Sequence, residues 1–120
     1  MAAHNELGRW GEDLAAVFLR EQGMVVIDRD WHSGHRDIDI VAIDRDTVVF
    51  VEVKTRRNSV FGDPVEAIDN AKLRNLRIAI DHYVKSKRIN QAFRLDVITI
   101  VGSPDCGEPT ITHLRDVLFY

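Results

Sequence analysis

Two runs of β-branched and apolar residues, separated by a short polar segment, dominate the pattern of hydrophobic positions along the chain. The runs cover residues 37–43 and 47–54, and Asp44, Arg45 and Asp46 lie between them. Two such runs on either side of a polar turn signal predict a β-hairpin.

One register of this hairpin gathers apolar side chains on a single face. That face consists of Ile38, Ile40, Ala42, Val49, Val51 and Val53. A slip of one residue would turn these side chains to the wrong side of the sheet. On the other face the same register places Asp39 opposite Glu52 and Asp37 opposite Lys54, at the spacing of directly paired residues. Two opposed carboxylates repel each other, and a divalent metal ion is the simplest group that makes the arrangement favourable.

The periodicity of the remaining chain predicts an α/β fold in which helices flank a mixed β-sheet. We expect a single domain over residues 1–120, because the chain has the length of one domain. The predicted elements are a helix over 5–22 with Asn5 as N-cap, a strand from Met24 to Ile27 that extends towards Trp31, the hairpin, a polar loop over 55–62, a helix from Asp63 to Lys85, and strands over 92–101 and 110–114.

The first predicted helix has two candidate faces. Leu7, Leu14 and Phe18 form an apolar stripe that we expect to enter the core. Glu12 lies on a neighbouring line of small and apolar residues, so we expect it to point towards protein. A buried carboxylate is unfavourable without a partner, and Glu12 therefore needs one.

Composition and charge restrict the possible partners. The net charge is −3, but residues 1–53 carry five Lys/Arg and eleven Asp/Glu, whereas residues 54–94 carry ten Lys/Arg and four Asp/Glu. Such asymmetry is compatible with a basic surface beside an acidic site, although solvated helix faces also explain it. The chain has no apolar run of transmembrane length and no basic-apolar leader, so no membrane partner is expected. The single Cys106 favours a reducing, cytoplasmic setting.

The charged end of the hairpin suits metal-dependent chemistry. Asp39, Glu52 and the carbonyl of Val53 are candidate ligands for Mg²⁺, with Mn²⁺ as a substitute, because Mg²⁺ prefers oxygen ligands. Lys54 projects to the same side as Glu52 and is a candidate for orienting an attacking water. Glu12 joins this site if the first helix packs over it. Asp96 is more simply a structural anchor than a ligand.

Asp39, the hairpin and the run Glu52-Val53-Lys54 resemble the PD-(D/E)xK motif of restriction-endonuclease-like nucleases. The similarity is closer to one branch, the YraN family, and extends over nearly the whole chain. It is carried by residues 7–16, 37–42, 49–56, 61–64 and 94–98. The resemblance implies an αβββαβ core and, by analogy, a metal-dependent phosphodiesterase site. Arg36 and Asp37 depart from the Gly-Glu that is usual in the family at these positions.

These observations predict a Mg²⁺-dependent endonuclease that hydrolyses phosphodiester bonds in nucleic acid, most simply DNA. So small a domain has little surface for long sequence readout, which favours structure selectivity similar to that of Holliday-junction resolvases. Arg56, Arg57, Lys72 and Arg74 are candidate contacts to nucleic acid. The alternative is a non-catalytic nucleic-acid binding or scaffolding protein that retains the nuclease fold. A homodimer is left open.

Overall fold

A computed structural model describes residues 6–60, 62 and 68–117 of the chain. Its elements, in chain order, are α1 (Glu6–Glu21), β1 (Val25–Ser33), β2 (Arg36–Asp44), β3 (Thr47–Arg56), α2 (Asn70–Ser86), β4 (Phe93–Val101) and β5 (Thr110–Leu114). The strands form a sheet in the order β1-β2-β3-β4-β5. The pair β3–β4 is parallel and the other pairs are antiparallel. The predicted α/β class and the αβββαβ order are therefore confirmed, with β5 added at the edge.

The two helices cover opposite faces of the sheet. Parallel β3 and β4 need a crossover connection, and α2 lies in it. One core cluster joins α1 to β2, β3 and β4, through Ala15, Ala16, Leu19, Ile40, Ala42, Val49, Val51, Ile98 and Ile100. The other joins α2 to the reverse face, through Leu76, Ala79, Ile80, Tyr83, Val41, Val48, Phe50 and Leu95. None of the helices in the described part of the chain has the length and apolar character needed to cross a bilayer.

The hairpin of β2 and β3 has the predicted register. Ile40 pairs with Val51, and the pairing continues in step to Asp44 and Thr47 at the turn. The described ladder ends at Ile40, so Asp39 and Glu52 lie just beyond it. There the backbone N–H of Val53 donates a hydrogen bond of 2.8 Å to Oδ2 of Asp39. The described pairing of the two strands stops at this end, and the carboxylate of Asp39 accepts the backbone hydrogen bond of Val53 on the neighbouring strand.

The prediction that Ile38 shares a face with Ile40 and Ala42 is wrong. Ile38 is buried in the cluster beneath α2, whereas Ile40 and Ala42 pack against α1. Beyond Ile40 the described pairs of β2 are with β1 alone, including that of Ile38 with Trp31. Because this end of β2 is not paired with β3, the two-residue alternation of a regular sheet does not determine the face to which its side chains point.

The predicted core stripe of α1 lies at the margin of the core and not at its centre, although Leu14 and Phe18 pack against the core cluster. The fully buried positions are Gly11, Glu12, Ala15, Ala16 and Leu19, whereas Leu7, Leu14 and Phe18 are only partly buried. Small residues let a helix backbone lie close to the sheet. The packing gained by this close approach outweighs the apolar area that the larger side chains of the other stripe would bury. The inward orientation of Glu12, in contrast, is confirmed, since Glu12 is 3% exposed.

Two predicted boundaries need correction. Helix α2 begins at Asn70 and not at Asp63, because Asp69 has an extended backbone and its side chain caps the helix by accepting a hydrogen bond from the N–H of Lys72. Residues 63–67 lie outside the described residues, as does the predicted N-cap Asn5. The loop after β3 starts later than predicted, because β3 continues to Arg56.

Candidate metal and active site

Asp39 and Glu52 form the centre of the site at the open end of β2 and β3. They are 8% and 2% exposed, so both carboxyl groups are largely removed from water. Asp39 is oriented by the N–H of Val53. Glu52 follows Val51, the last described residue of β3 that pairs with β2, and points towards α2.

Glu52 lies between two lysines. Its Oε2 is 3.3 Å from Nζ of Lys72 on α2 and 3.9 Å from Nζ of Lys54 on β3. Its other oxygen, Oε1, is buried and has no hydrogen-bond partner among the described residues. An unsatisfied buried carboxylate oxygen is unfavourable and calls for an explanation such as an ion or water.

The electrostatics of this pair follow from burial and proximity. Burial, followed by the negative charge of Asp39, raises the pKa of Glu52 to about 8. Burial also raises the pKa of Asp39, although the hydrogen bond from Val53 acts in the opposite direction. Burial acts to lower the pKa of Lys72, but the charge and hydrogen bond of Glu52, together with the charges of Asp39 and Asp37, outweigh it and raise that pKa. Without a cation, the pair therefore favours retention of a proton near neutral pH.

Glu12 reaches the site from α1, on the other side of the sheet. Oxygens of Glu12, Asp30 and Asp39 all lie within 4.8 Å of one another. Arg29 of β1 bonds Glu12 at 3.0 Å and also the exposed Asp13 at 2.7 Å. Burial raises the pKa of Glu12 to about 7, against the hydrogen bond from Arg29. The predicted approach of Glu12 to Asp39 is confirmed, and its described ion-pair partner is Arg29 rather than Lys54.

The donor set fits a hard divalent cation. Asp39 and Glu52 are carboxylates on adjacent strands, and the free Oε1 of Glu52 supplies an oxygen that the described protein groups leave unused. Mg²⁺ is usually bound through one or two carboxylates together with water and phosphate oxygens. A cation here would also offset the burial and the repulsion by Asp39 that together raise the pKa of Glu52.

The residues predicted to contact nucleic acid differ in their position relative to Asp39 and Glu52. Lys72 is paired with Glu52 and so belongs to the site itself. Arg56 is exposed at the end of β3, and Arg57 follows it, 4.0 Å from Asp105. Arg74 is exposed on the first turns of α2.

Sequence reasoning missed two residues of the site and one contact. Arg29 and Asp30 lie on β1, and the Lys72–Glu52 ion pair joins α2 to β3. The alternation Asp28-Arg29-Asp30 in a predicted strand was a signal for β1. This alternation does not by itself point to the site. The observed register of β1 with β2 brings Asp30 beside Asp39.

Asp96 of β4 lies outside this site and has the structural role predicted for it. It is fully buried and accepts hydrogen bonds from Arg94 at 2.9 Å and from the N–H of Asp116 at 3.0 Å. His113 lies 2.8 Å from its other oxygen. Burial acts to raise the pKa of Asp96, but these contacts outweigh it and lower that pKa.

Comparison with known proteins places the whole site within one family. A family model described as uncharacterised protein family UPF0102 matches residues 11–100. The chain belongs to the UPF0102 family. The matched residues of this UPF0102 chain include Glu12, Asp39, Glu52, Lys54 and Lys72.

The UPF0102 relatives are similar along nearly their full length. A UPF0102 protein of Bacteroides thetaiotaomicron is 40% identical over 119 residues, which are 99% of this chain and 97% of the relative. One from Paenarthrobacter aurescens is 44% identical over 118 residues, with 98% and 97% covered. One from Rhodococcus opacus is 44% identical over 116 residues, with 95% and 98% covered.

Proposed function

We propose that this UPF0102 protein is a metal-dependent endonuclease that hydrolyses phosphodiester bonds in nucleic acid. The observation that carries the proposal is the buried pair of Asp39 and Glu52, with one carboxylate oxygen unused by the described residues and two lysines beside it. A purely structural ion pair would not require two adjacent carboxyl groups whose burial raises the pKa of both.

Three residues of the hairpin would form the metal site. Asp39 and Glu52 would hold Mg²⁺ or Mn²⁺, and the Val53 N–H keeps Asp39 in place. The carbonyl of Val53 remains a further candidate ligand. When bound, the metal lowers the pKa of an attacking water and stabilises the charge that develops on the phosphate.

The two lysines have different surroundings and therefore different proposed roles. Lys54 extends from the same strand as Glu52 and would orient the attacking water or contact the scissile phosphate. Lys72 holds Glu52 from α2 and would offset the negative charge of the site while a phosphate approaches. Glu12 would act as a positioning residue, because it links Arg29 to the neighbourhood of Asp39.

Basic residues beyond the carboxylates would bind the nucleic-acid backbone. Arg56 and Arg57 continue the line of β3 past Lys54, and Arg74 lies on the exposed side of α2. Contacts to phosphate fix position without reading sequence, which favours selectivity for the shape of a DNA branch or flap.

Metal binding and cleavage by four proteins test this proposal. We expect Mg²⁺ or Mn²⁺ to raise the melting temperature of the wild type, and the effect to disappear in Asp39→Asn and Glu52→Gln. Lys54→Ala should retain the metal effect, because an ammonium group is not a metal ligand. All three variants should lose cleavage of labelled single-stranded, duplex, flapped and branched substrates.

Two outcomes would contradict the proposal. Full cleavage by Lys54→Ala would refute the role of Lys54. A wild-type protein that binds nucleic acid but cleaves none of these substrates with either metal would instead support the non-catalytic binding function.

A further inference from the structure

A small cavity lies beside the carboxylate site, between the start of β2 and the first turns of α2. Its volume is about 80 Å³. It is lined by His35, Arg36, Asp37, Lys72, Asn75 and Leu76. Lys72 also contacts Glu52, so the cavity and the proposed active site share a side chain.

Arg36 is the unusual member of this lining. It is the first residue of β2, after the tight turn at Gly34, and its side chain is half-buried. Its Nε is buried and has no hydrogen-bond partner among the described residues. A buried donor of a charged group is unfavourable when unpaired, so this guanidinium group lacks an acceptor among the described residues.

The chemistry of the lining favours a phosphate group as that acceptor. The Nε and Nη groups of arginine form a planar fork that matches the oxygens of a phosphate. Lys72, which is paired with Glu52, adds a second positive charge and Asn75 an amide group that can donate, whereas Asp37 contributes one negative charge to the lining.

We propose that this cavity is a second phosphate subsite, which binds the backbone phosphate next to the scissile one. The proposal rests on the proposed nuclease function for the identity of its ligand. Arg36 binds the flanking phosphate, and Lys72 lies between that phosphate and Glu52. The subsite therefore holds the substrate strand in place without taking part in bond cleavage.

Inorganic phosphate provides a test that does not depend on nuclease activity. The side-chain Nε–H signal of Arg36 in a ¹⁵N-resolved NMR spectrum, assigned by its loss in Arg36→Gln, should shift saturably with added phosphate at constant ionic strength. The Nε–H signal of Arg45, at the other end of β2, serves as the control and should not follow. An unchanged Arg36 signal, or equal shifts of both signals, would overturn the subsite.

Oligonucleotide binding and kinetics form the second arm of the test. Loss of one phosphate contact should lower the slope of log affinity against log salt by about 0.7 for a single strand and about 0.9 for a duplex. Arg36→Gln should also raise KM about tenfold with little change in kcat, because the contact is equally present before and during cleavage. Arg45→Gln should behave like the wild type in both measurements.

The two arms separate failure of the subsite from failure of the nuclease proposal. A phosphate-dependent shift of Arg36 in a protein that cleaves nothing would support the subsite and contradict the nuclease. Normal cleavage, with Arg36→Gln and Arg45→Gln indistinguishable in salt slope and KM, would support the nuclease and overturn the subsite. An unchanged melting temperature of Arg36→Gln would show that the fold is intact in these comparisons.

Discussion

At the scale of single residues, two buried carboxylates with opposite surroundings have opposite properties. Asp96 is surrounded by donors from Arg94, His113 and a backbone N–H, and its pKa is lowered. Glu52 faces another carboxylate and keeps one oxygen without a described partner, and its pKa is raised to about 8. A complete set of protein partners identifies a structural carboxylate, and an incomplete set identifies a candidate ligand.

Replacing Asp96 with Asn should destabilise the protein by about 3 kcal/mol at pH 7, since Arg94 and His113 lose a fully buried charged partner and Arg94 keeps only the ion pair with Asp44 among its described partners. The pKa of Asp96 in the folded state lies below its ordinary value of 3.8. The stabilisation is therefore complete above pH 3.8 and is lost as the pH falls through the folded-state pKa. Chemical denaturation of both proteins between about pH 3 and pH 7 should show their stabilities converging at the acidic end.

The exposed Asp46 at the hairpin turn offers a matched control. Asp46→Asn should change the free energy of unfolding by less than about 0.5 kcal/mol at any of these pH values. A difference between wild type and Asp96→Asn that stays constant down to about pH 3 would contradict the assigned ion pairs.

At the scale of elements, the approach of α1 to β3 positions Glu12. A Cβ atom added at Gly11 would collide with the hydroxyl oxygen of Thr55 and lie 2.9 Å from the Cβ of Thr55. Glycine at this position therefore allows the helix to lie close to the strand. The neighbouring Glu12 consequently points towards Asp39 at the open end of the hairpin rather than towards solvent.

Gly11→Ala should reduce stability despite the better helix propensity of alanine. Overpacking costs about 1–3 kcal/mol, and the gain in propensity is about 1 kcal/mol. Thr55→Ala removes two of the three colliding atoms, so the double variant should recover part of the loss. A double-mutant cycle from denaturation curves measures this recovery. Strict additivity of the two changes, or a stabilised Gly11→Ala, would show that α1 does not approach β3 this closely.

At the scale of the whole molecule, positive charge is concentrated from the end of β3 to the start of α2, and the carboxylates of the acidic site precede it on β2 and β3. Lys54, Arg56 and Arg57 follow Glu52 closely along the chain, and Lys72 and Arg74 are on the next helix. A nucleic-acid backbone that reaches the carboxylates from this side meets these cations first. The net charge of −3 hides this arrangement, because the compensating acids lie elsewhere.

Arg56→Ala combined with Arg57→Ala should weaken nucleic-acid binding and its dependence on salt. Each lost phosphate contact lowers the salt slope by about 0.9 on duplex DNA, so the pair should lower it by about 1.8. Fluorescence anisotropy at several salt concentrations measures the slope. Arg45→Gln with Arg88→Gln removes the same charge at the hairpin turn and beyond the end of α2, and should leave the slope unchanged. Equal effects of the two double variants would place the binding surface elsewhere.

Local patterns along the chain are sufficient to predict the order of the elements, the register of the hairpin and the inward position of Glu12. These features depend on strand alternation and helical period, which act over a few neighbouring residues. The proximity of Asp39 and Glu52 at one end of the hairpin therefore follows from the pattern of its two strands alone.

The further residues of the site depend on tertiary packing. Lys72 meets Glu52 through the packing of α2 on the sheet, and Arg29 and Asp30 reach Glu12 and Asp39 through the pairing of β1 with β2. The buried face of α1 is likewise selected by close contact with β3 and not by the size of its apolar side chains. Such contacts join residues distant in sequence, and their free energy depends on shape and burial in the assembled fold, which local periodicity does not encode.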